Sequence, residues 1–129
     1  MFKDTKAFSG FSVDDMVMAK EFYSQTLGLE VAETPQGLQM KLGGGGEVFV
    51  YSKPDHTPAT FTVLNFVVDD IDTAVDELAG KGLAFQHYDS DQMKTDEKGI
   101  ARGLAANMGP DIAWFTDPAG NVLAVLQTK

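Results

Sequence analysis

Phe11-Ser12-Val13-Asp14-Asp15 and Phe66-Val67-Val68-Asp69-Asp70 are two copies of one pattern, 55 residues apart, and their reading decides the fold. A helical spacing follows each copy: Met16, Ala19, Phe22, Tyr23 and Leu27 after the first, Ile71, Ala74, Val75 and Leu78 after the second. Both therefore read as a strand, an acidic N-cap pair and an amphipathic helix. Aspartate suits a helix start because its carboxylate accepts from free backbone N–H groups and complements the positive end of the helix dipole. Gly28 closes the first helix, and Gly80 or Gly82 the second.

Three strands are expected after each helix. The first half offers Leu29–Thr34, Leu38–Leu42 and Glu47–Ser52, with turns at Pro35-Gln36-Gly37 and Gly43–Gly46. Leu38, Met40 and Leu42 alternate with Gln39 and Lys41, the period-2 mark of a strand with one covered face. The second half offers Leu83–Tyr88, Ile112–Thr116 and Asn121–Gln127, the last two joined by Asp117-Pro118-Ala119-Gly120. The chain thus reads as an α+β fold of two βαβββ modules, about 5–53 and 59–129, with the bridge 54–58 between them. Neither half buries its sheet alone, so 1–129 is expected to be a single domain. Taking Val50 and Ala124 as equivalent leaves about 19 extra residues in the second half, all within 89–110. A loop that long is either a lid over a site or an insertion remote from one.

The composition limits what such a domain does. The chain has 129 residues, 43% of them hydrophobic and 22% charged, an ordinary globular mix. Ten basic residues against nineteen acidic ones leave a net charge of −9, which repels phosphate and argues against a nucleic-acid or anionic-membrane partner. Cysteine is absent, so disulfides, thiolate nucleophiles and zinc–cysteine sites are excluded. No apolar stretch follows the first lysines, and the run from Phe61 to Val68 is too short to span a bilayer. A cytoplasmic location is expected.

Local motifs carry little chemistry. The Gly43–Gly46 run lacks a following Lys-Ser/Thr and joins two strands, so it reads as a hairpin turn rather than a phosphate loop. The two histidines, His56 and His87, are far apart. No Gly-x-Ser-x-Gly elbow occurs. The pairs Asp14-Asp15 and Asp69-Asp70 are explained together as helix caps.

Val13-Asp14-Asp15…Ala19…Phe22-Tyr23…Leu27-Gly28 resembles the opening signature of the glyoxalase/bleomycin resistance/dioxygenase (vicinal oxygen chelate) superfamily. Val68-Asp69-Asp70-Ile71-Asp72 is similar to the start of its second module, and Asp117-Pro118-Ala119-Gly120-Asn121 to the turn before its last strand. The resemblance covers essentially the whole chain. It implies a cupped eight-stranded mixed sheet with helices on the outer face, a ligand site inside the cup, and a homodimer.

Enzymes of that superfamily bind a divalent metal through four His, Gln or Glu side chains near the strand centres. By the resemblance, those positions fall on Phe8, Val50, Val63 and Ala124, all without a donor atom. No metal or other cofactor is therefore expected. Alternation then assigns Phe8, Gly10, Ser12, Val50, Phe61, Val63, Asn65 and Ala124 to the cup, with Phe11, Val13, Phe49, Tyr51, Leu64, Phe66, Leu123 and Val125 under the helices. Trp114 offers a flat wall with one N–H donor. Asn65 needs a hydrogen-bond partner, from the protein or from a ligand. His87 is a candidate general base or a surface histidine, and Arg102 a clamp for an anionic ligand or a solvated loop residue. The expected function is metal-independent binding or sequestration of a small apolar or aromatic compound. The alternative is a lyase, isomerase or dioxygenase of the same superfamily acting on a small organic substrate.

Overall fold

The computed structural model describes residues 1–129. The chain forms two units, Met1–Pro58 and Ala59–Lys129. The first holds β1 (Ser9–Val13), α1 (Met16–Glu21), β2 (Glu30–Thr34), β3 (Gly37–Lys41) and β4 (Glu47–Ser52). The second holds β5 (Thr62–Val67), α2 (Ile71–Gly80), β6 (Ile100–Arg102), β7 (Asp111–Thr116) and β8 (Val122–Gln127). Strand order is β1-β4-β3-β2 in one sheet and β5-β8-β7-β6 in the other. In each the first strand runs parallel to the last and the other pairs are antiparallel. The duplicated α+β topology is the expected one, with the eight strands hydrogen-bonded as two four-stranded sheets.

Capping falls to the second aspartate of each pair. Asp15 Oδ1 accepts from the N–H groups of Val17 at 3.0 Å and Met18 at 3.1 Å. Asp70 accepts from the Thr73 N–H at 3.2 Å and its hydroxyl at 3.0 Å. After α1 the chain widens into a π-helical turn over Phe22–Thr26, closed by the Leu27 N–H donating to the Phe22 carbonyl. Ala19 and Tyr23 are the residues this segment buries.

In the first unit, Phe11 pairs with Val50, and Val50 with Leu38. Paired residues share a face, so Phe11, Val13, Leu38, Met40, Val48 and Val50 form one buried layer with Ala19 and Tyr23. Fully burying an aliphatic side chain of this kind contributes about 1.5–3 kcal/mol. Val50 is therefore a core residue beneath the helix, whereas Phe49 and Tyr51 occupy the open face. Matching Val50 to Ala124 reverses the faces of this strand. The counterpart of Val50 is Val125, which pairs with Phe66 as Val50 pairs with Phe11. A slip of one residue moves every side chain to the other face.

The second unit packs Ile71 and Val75 of α2 on Ile100, Ala113 and Val125. Leu83–Tyr88 forms no strand. It meets β7 through the Gln86 N–H, which donates to the Trp114 carbonyl at 2.8 Å, and Phe85 packs edge-on against Phe115. The edge position goes to Ile100–Arg102, inside the stretch expected to be a loop, because the fully buried Ile100 fills the core there.

The turn at Asp117 is structural. Asp117 Oδ1 accepts from the N–H groups of Ala119 at 3.0 Å and Asn121 at 2.8 Å, and Asn121 Oδ1 accepts from the Ala59 N–H at 3.2 Å. Both side chains are buried. No helix is long and apolar enough to cross a membrane.

Candidate functional site

Each sheet has a face away from its helix. On the first, Phe8 meets Phe49 edge-on and Phe49 stacks on Tyr51. Gly10 lies opposite Phe49, where an added Cβ would stand 3.2 Å from the Phe49 carbonyl oxygen. Ser12 Oγ is 2.7 Å from His56 Nδ1, tying β1 to the bridge that leaves β4. Gln39 Nε2 donates to Glu47 at 2.8 Å beside Phe8.

On the second sheet Asn65, Ala124 and Trp114 form one row across β5, β8 and β7. Val63 does not join them. It is the extra residue of a β-bulge between Thr62 and Leu64, and such a residue interrupts the alternation. Thr62 takes the open-face place opposite Val122, and its hydroxyl accepts from Trp114 Nε1 at 3.2 Å. The bulge hid Thr62 from a period-2 reading. Phe61, just before β5, is 69% exposed.

Trp114 is held in place from a second side by Tyr88, whose ring stands at 90° to the indole with centroids 5.7 Å apart. The Tyr88 hydroxyl in turn donates to Gln86 Oε1. Beside the indole lies a cleft of about 350 Å³. Its floor is Trp114, Ile112 and Ala101, and its rim is Met93, Lys94, Ala106, Met108 and Pro110. The rim comes from 92–110, so the long connection lines a cleft rather than lying remote from one. An apolar concavity with an aromatic wall and few polar groups has the character of a small-molecule site. A second concavity of about 360 Å³ lies in the first unit between the start of α1 and the β2–β3 turn. It lacks an aromatic wall and includes Glu33, Gln36 and Ser52.

Around Arg102 the structure replaces both expected roles with a third. Its guanidinium donates to Asp72 at 2.9 and 2.7 Å and to Asp96 at 3.0 Å, with Asp111 at 3.8 Å. Lys98 bridges Asp72 and Asp76. The hydrogen bonds from Arg102 and then Lys98 hold the Asp72 carboxyl well below the usual carboxylate range. Burial pushes Asp96 upward, but hydrogen bonds from the Ile100 N–H, Arg102 and the Lys98 N–H outweigh it and lower its pKa. Asp111 also accepts from the Leu104 N–H at 3.0 Å. This network fastens residues 101–104, of which the first three line the cleft, to α2 and β7. His87 is exposed on the irregular segment after Phe85 and does not line the cleft.

The residues present do not fit a divalent metal. Gly10, Phe49, Asn65 and Ala124 lie at the strand centres of the two open faces, and only Asn65 among them carries a side-chain donor atom. No three His, Asp or Glu side chains gather where they could hold an ion.

The family model described as Glyoxalase/Bleomycin resistance protein/Dioxygenase superfamily matches residues 9–125. No curated protein matches the chain. Among solved structures, the chain is similar to a glyoxalase family protein from Enterococcus faecalis, at 20% identity and a TM-score of 0.69, covering 98% of this chain and 99% of that one. It is similar to TnmS3, an antibiotic binding protein from Streptomyces sp. CB03234, at 23% identity and a TM-score of 0.66, covering 98% of each. It is also similar to a lactoylglutathione lyase from Agrobacterium tumefaciens, at 19% identity and a TM-score of 0.63, covering 97% of this chain and 95% of that one.

Proposed function

Because the chain belongs to the Glyoxalase/Bleomycin resistance protein/Dioxygenase superfamily, we propose that it binds a small, largely apolar or aromatic compound without a metal. The ligand sits on the open face of the second sheet, against Trp114. The observation that carries this reading is the cleft of about 350 Å³ between Trp114 and the 92–110 segment. A fold shared with both an antibiotic binding protein and a lyase does not choose between binding and catalysis. The donor set favours binding. A Lewis-acid step needs several nitrogen or oxygen ligands around one ion, and the strand-centre positions supply carbon and a single amide.

Trp114 acts as the flat wall of the site. Thr62 and Tyr88 fix its orientation before any ligand arrives, which reduces the ordering cost of binding. Met93 and Met108 adapt to ligand shape, since a thioether on an unbranched chain repacks easily. The protein acts as a homodimer, a reading supported by exposed apolar residues such as Phe8, Phe61 and Val67, which are 70%, 69% and 67% exposed.

Thermal unfolding in the presence of neutral aromatic compounds tests the function. A ligand at a hundred times its dissociation constant adds about 2.7 kcal/mol to stability, so at least one compound raises Tm by several degrees, and Trp114→Ala abolishes the rise. A stoichiometric Mn, Fe, Ni or Zn ion that raises Tm more than any organic compound contradicts it. Sedimentation equilibrium tests the dimer, with a single species near twice 13.9 kDa expected.

A further inference from the structure

The lining of the Trp114 cleft carries two cationic residues, Lys94 and Arg102, and no Asp or Glu. The chain around it has nineteen acidic residues and a net charge of −9. The two cations are not equivalent. Arg102 spends its guanidinium on Asp72, Asp96 and Asp111. Lys94 pairs with Asp89 at 3.9 Å, and both side chains stand largely in solvent, at 75% and 91% exposure. An ion pair that long and that exposed holds its lysine weakly. The Lys94 ammonium thus sits at the rim of an apolar cleft, able to exchange Asp89 for a better-placed anion.

From this we infer that the cleft selects aromatic compounds bearing a negative charge, such as a carboxylate or phenolate. The ring lies against Trp114 and the anionic group meets Lys94. The inference rests on the binding reading above and adds the chemical class of the ligand. Placement follows from the walls. Ile112, Ala101 and the indole offer nothing to an ion, so a charged group buried among them would be desolvated without compensation. At the rim it keeps its water and gains the lysine. No Asp or Glu lines the cleft itself, so the ring-bearing end of the ligand meets no carboxylate there. Asp89 is the nearby competitor for Lys94, and Asp91 adds negative charge on the same segment.

Trp114 is the only tryptophan, so its fluorescence reports this cleft. Titration of the 129-residue chain with 1-naphthoate, 1-naphthylmethanol and 1-naphthylmethylamine compares one ring with negative, neutral and positive substituents. Naphthoate is expected to bind about fivefold more tightly than the alcohol, the scale of an exposed charge contact, and the amine more weakly than either. Lys94→Gln should abolish the preference, bringing the ratio of naphthoate to alcohol affinity to about one. Lys94→Arg should retain the preference, and 0.5 M salt should reduce it. Equal affinities for naphthoate and the alcohol, or a preference that survives Lys94→Gln, overturn the anion selectivity and leave the binding reading standing. Failure of all three probes to quench Trp114 overturns both.

Discussion

Arg102 lays Nη1 and Nη2 on the two carboxylate oxygens of Asp72, at 2.9 and 2.7 Å. A planar fork matched to a planar carboxylate is a geometry lysine cannot reproduce. It joins β6 to the first turn of α2, and the residues on either side of Arg102, Ala101 and Gly103, line the Trp114 cleft. The same guanidinium reaches Asp96 and Asp111, so one side chain gathers carboxylates from a helix, a loop and a neighbouring strand.

Acid should dissolve this clasp. Asp72 and Asp96 have lower pKa values in the folded protein than the ordinary carboxylate value near 3.9. Their contribution to stability is therefore complete above that value and is lost as pH falls through it toward the folded-state values. Arg102→Gln should lower the urea midpoint at pH 7, and the gap to the parent protein should begin to narrow by pH 3 and keep narrowing at lower pH. A gap unchanged across that range would show that the pairs do not contribute.

Asp117→Ala should cost about 3 kcal/mol in urea unfolding. The substitution strips the acceptor from buried N–H groups at Ala119 and Asn121, and each unsatisfied buried group costs about 1–3 kcal/mol. Asp117→Asn, which keeps one carbonyl oxygen, should recover part of the loss.

Val50→Ala should lower stability by about 2 kcal/mol through lost burial and a residual cavity. It should leave naphthyl titrations of Trp114 unchanged, because Val50 is fully buried in the core of the other unit. A selective loss of ligand affinity would return Val50 to the binding face.

Gly99→Ala should destabilise by about 2 kcal/mol. Gly99 has φ +89°, where an L residue is strained, and an added Cβ would stand 2.9 Å from Phe85 Cβ. This turn delivers Ile100 to the sheet edge, so the variant should also weaken probe binding, measured by the same fluorescence titration.

The duplicated βαβββ plan was legible because it rests on features that sequence states directly. Asp15 and Asp70 mark helix starts, Gly28 takes the left-handed conformation at φ +72° that ends the first helix, and Asp117-Pro118-Ala119-Gly120-Asn121 closes a turn with its own side chains. Which face a strand residue occupies depends instead on register, and register is a tertiary property. The Phe11–Val50 pairing corrected one strand by a single residue, and the bulge at Val63 corrected another. Asn65, Ala124 and Trp114 fell in one row because β5 after the bulge, β8 and β7 keep regular alternation.

The long connection was legible only as length. Nothing in 89–110 announces that Ile100 outcompetes Leu83–Tyr88 for the sheet edge, since both offer short apolar stretches. The choice is made by a fully buried isoleucine and by the carboxylates that hold Arg102. Arg102 itself was legible as a cation on the long connection of an acidic chain. Its partners, Asp72 and Asp111, are 30 and 9 residues away, beyond the reach of any local pattern.

The most direct measurement is a crystal structure of the protein grown with saturating 1-naphthylmethanol, the uncharged probe. The account predicts ring density against the Trp114 indole, between Met93 and Met108, with Thr62 still accepting from Nε1. An indole swung away to fill the cleft itself, or a probe bound elsewhere with the cleft untouched, would contradict it.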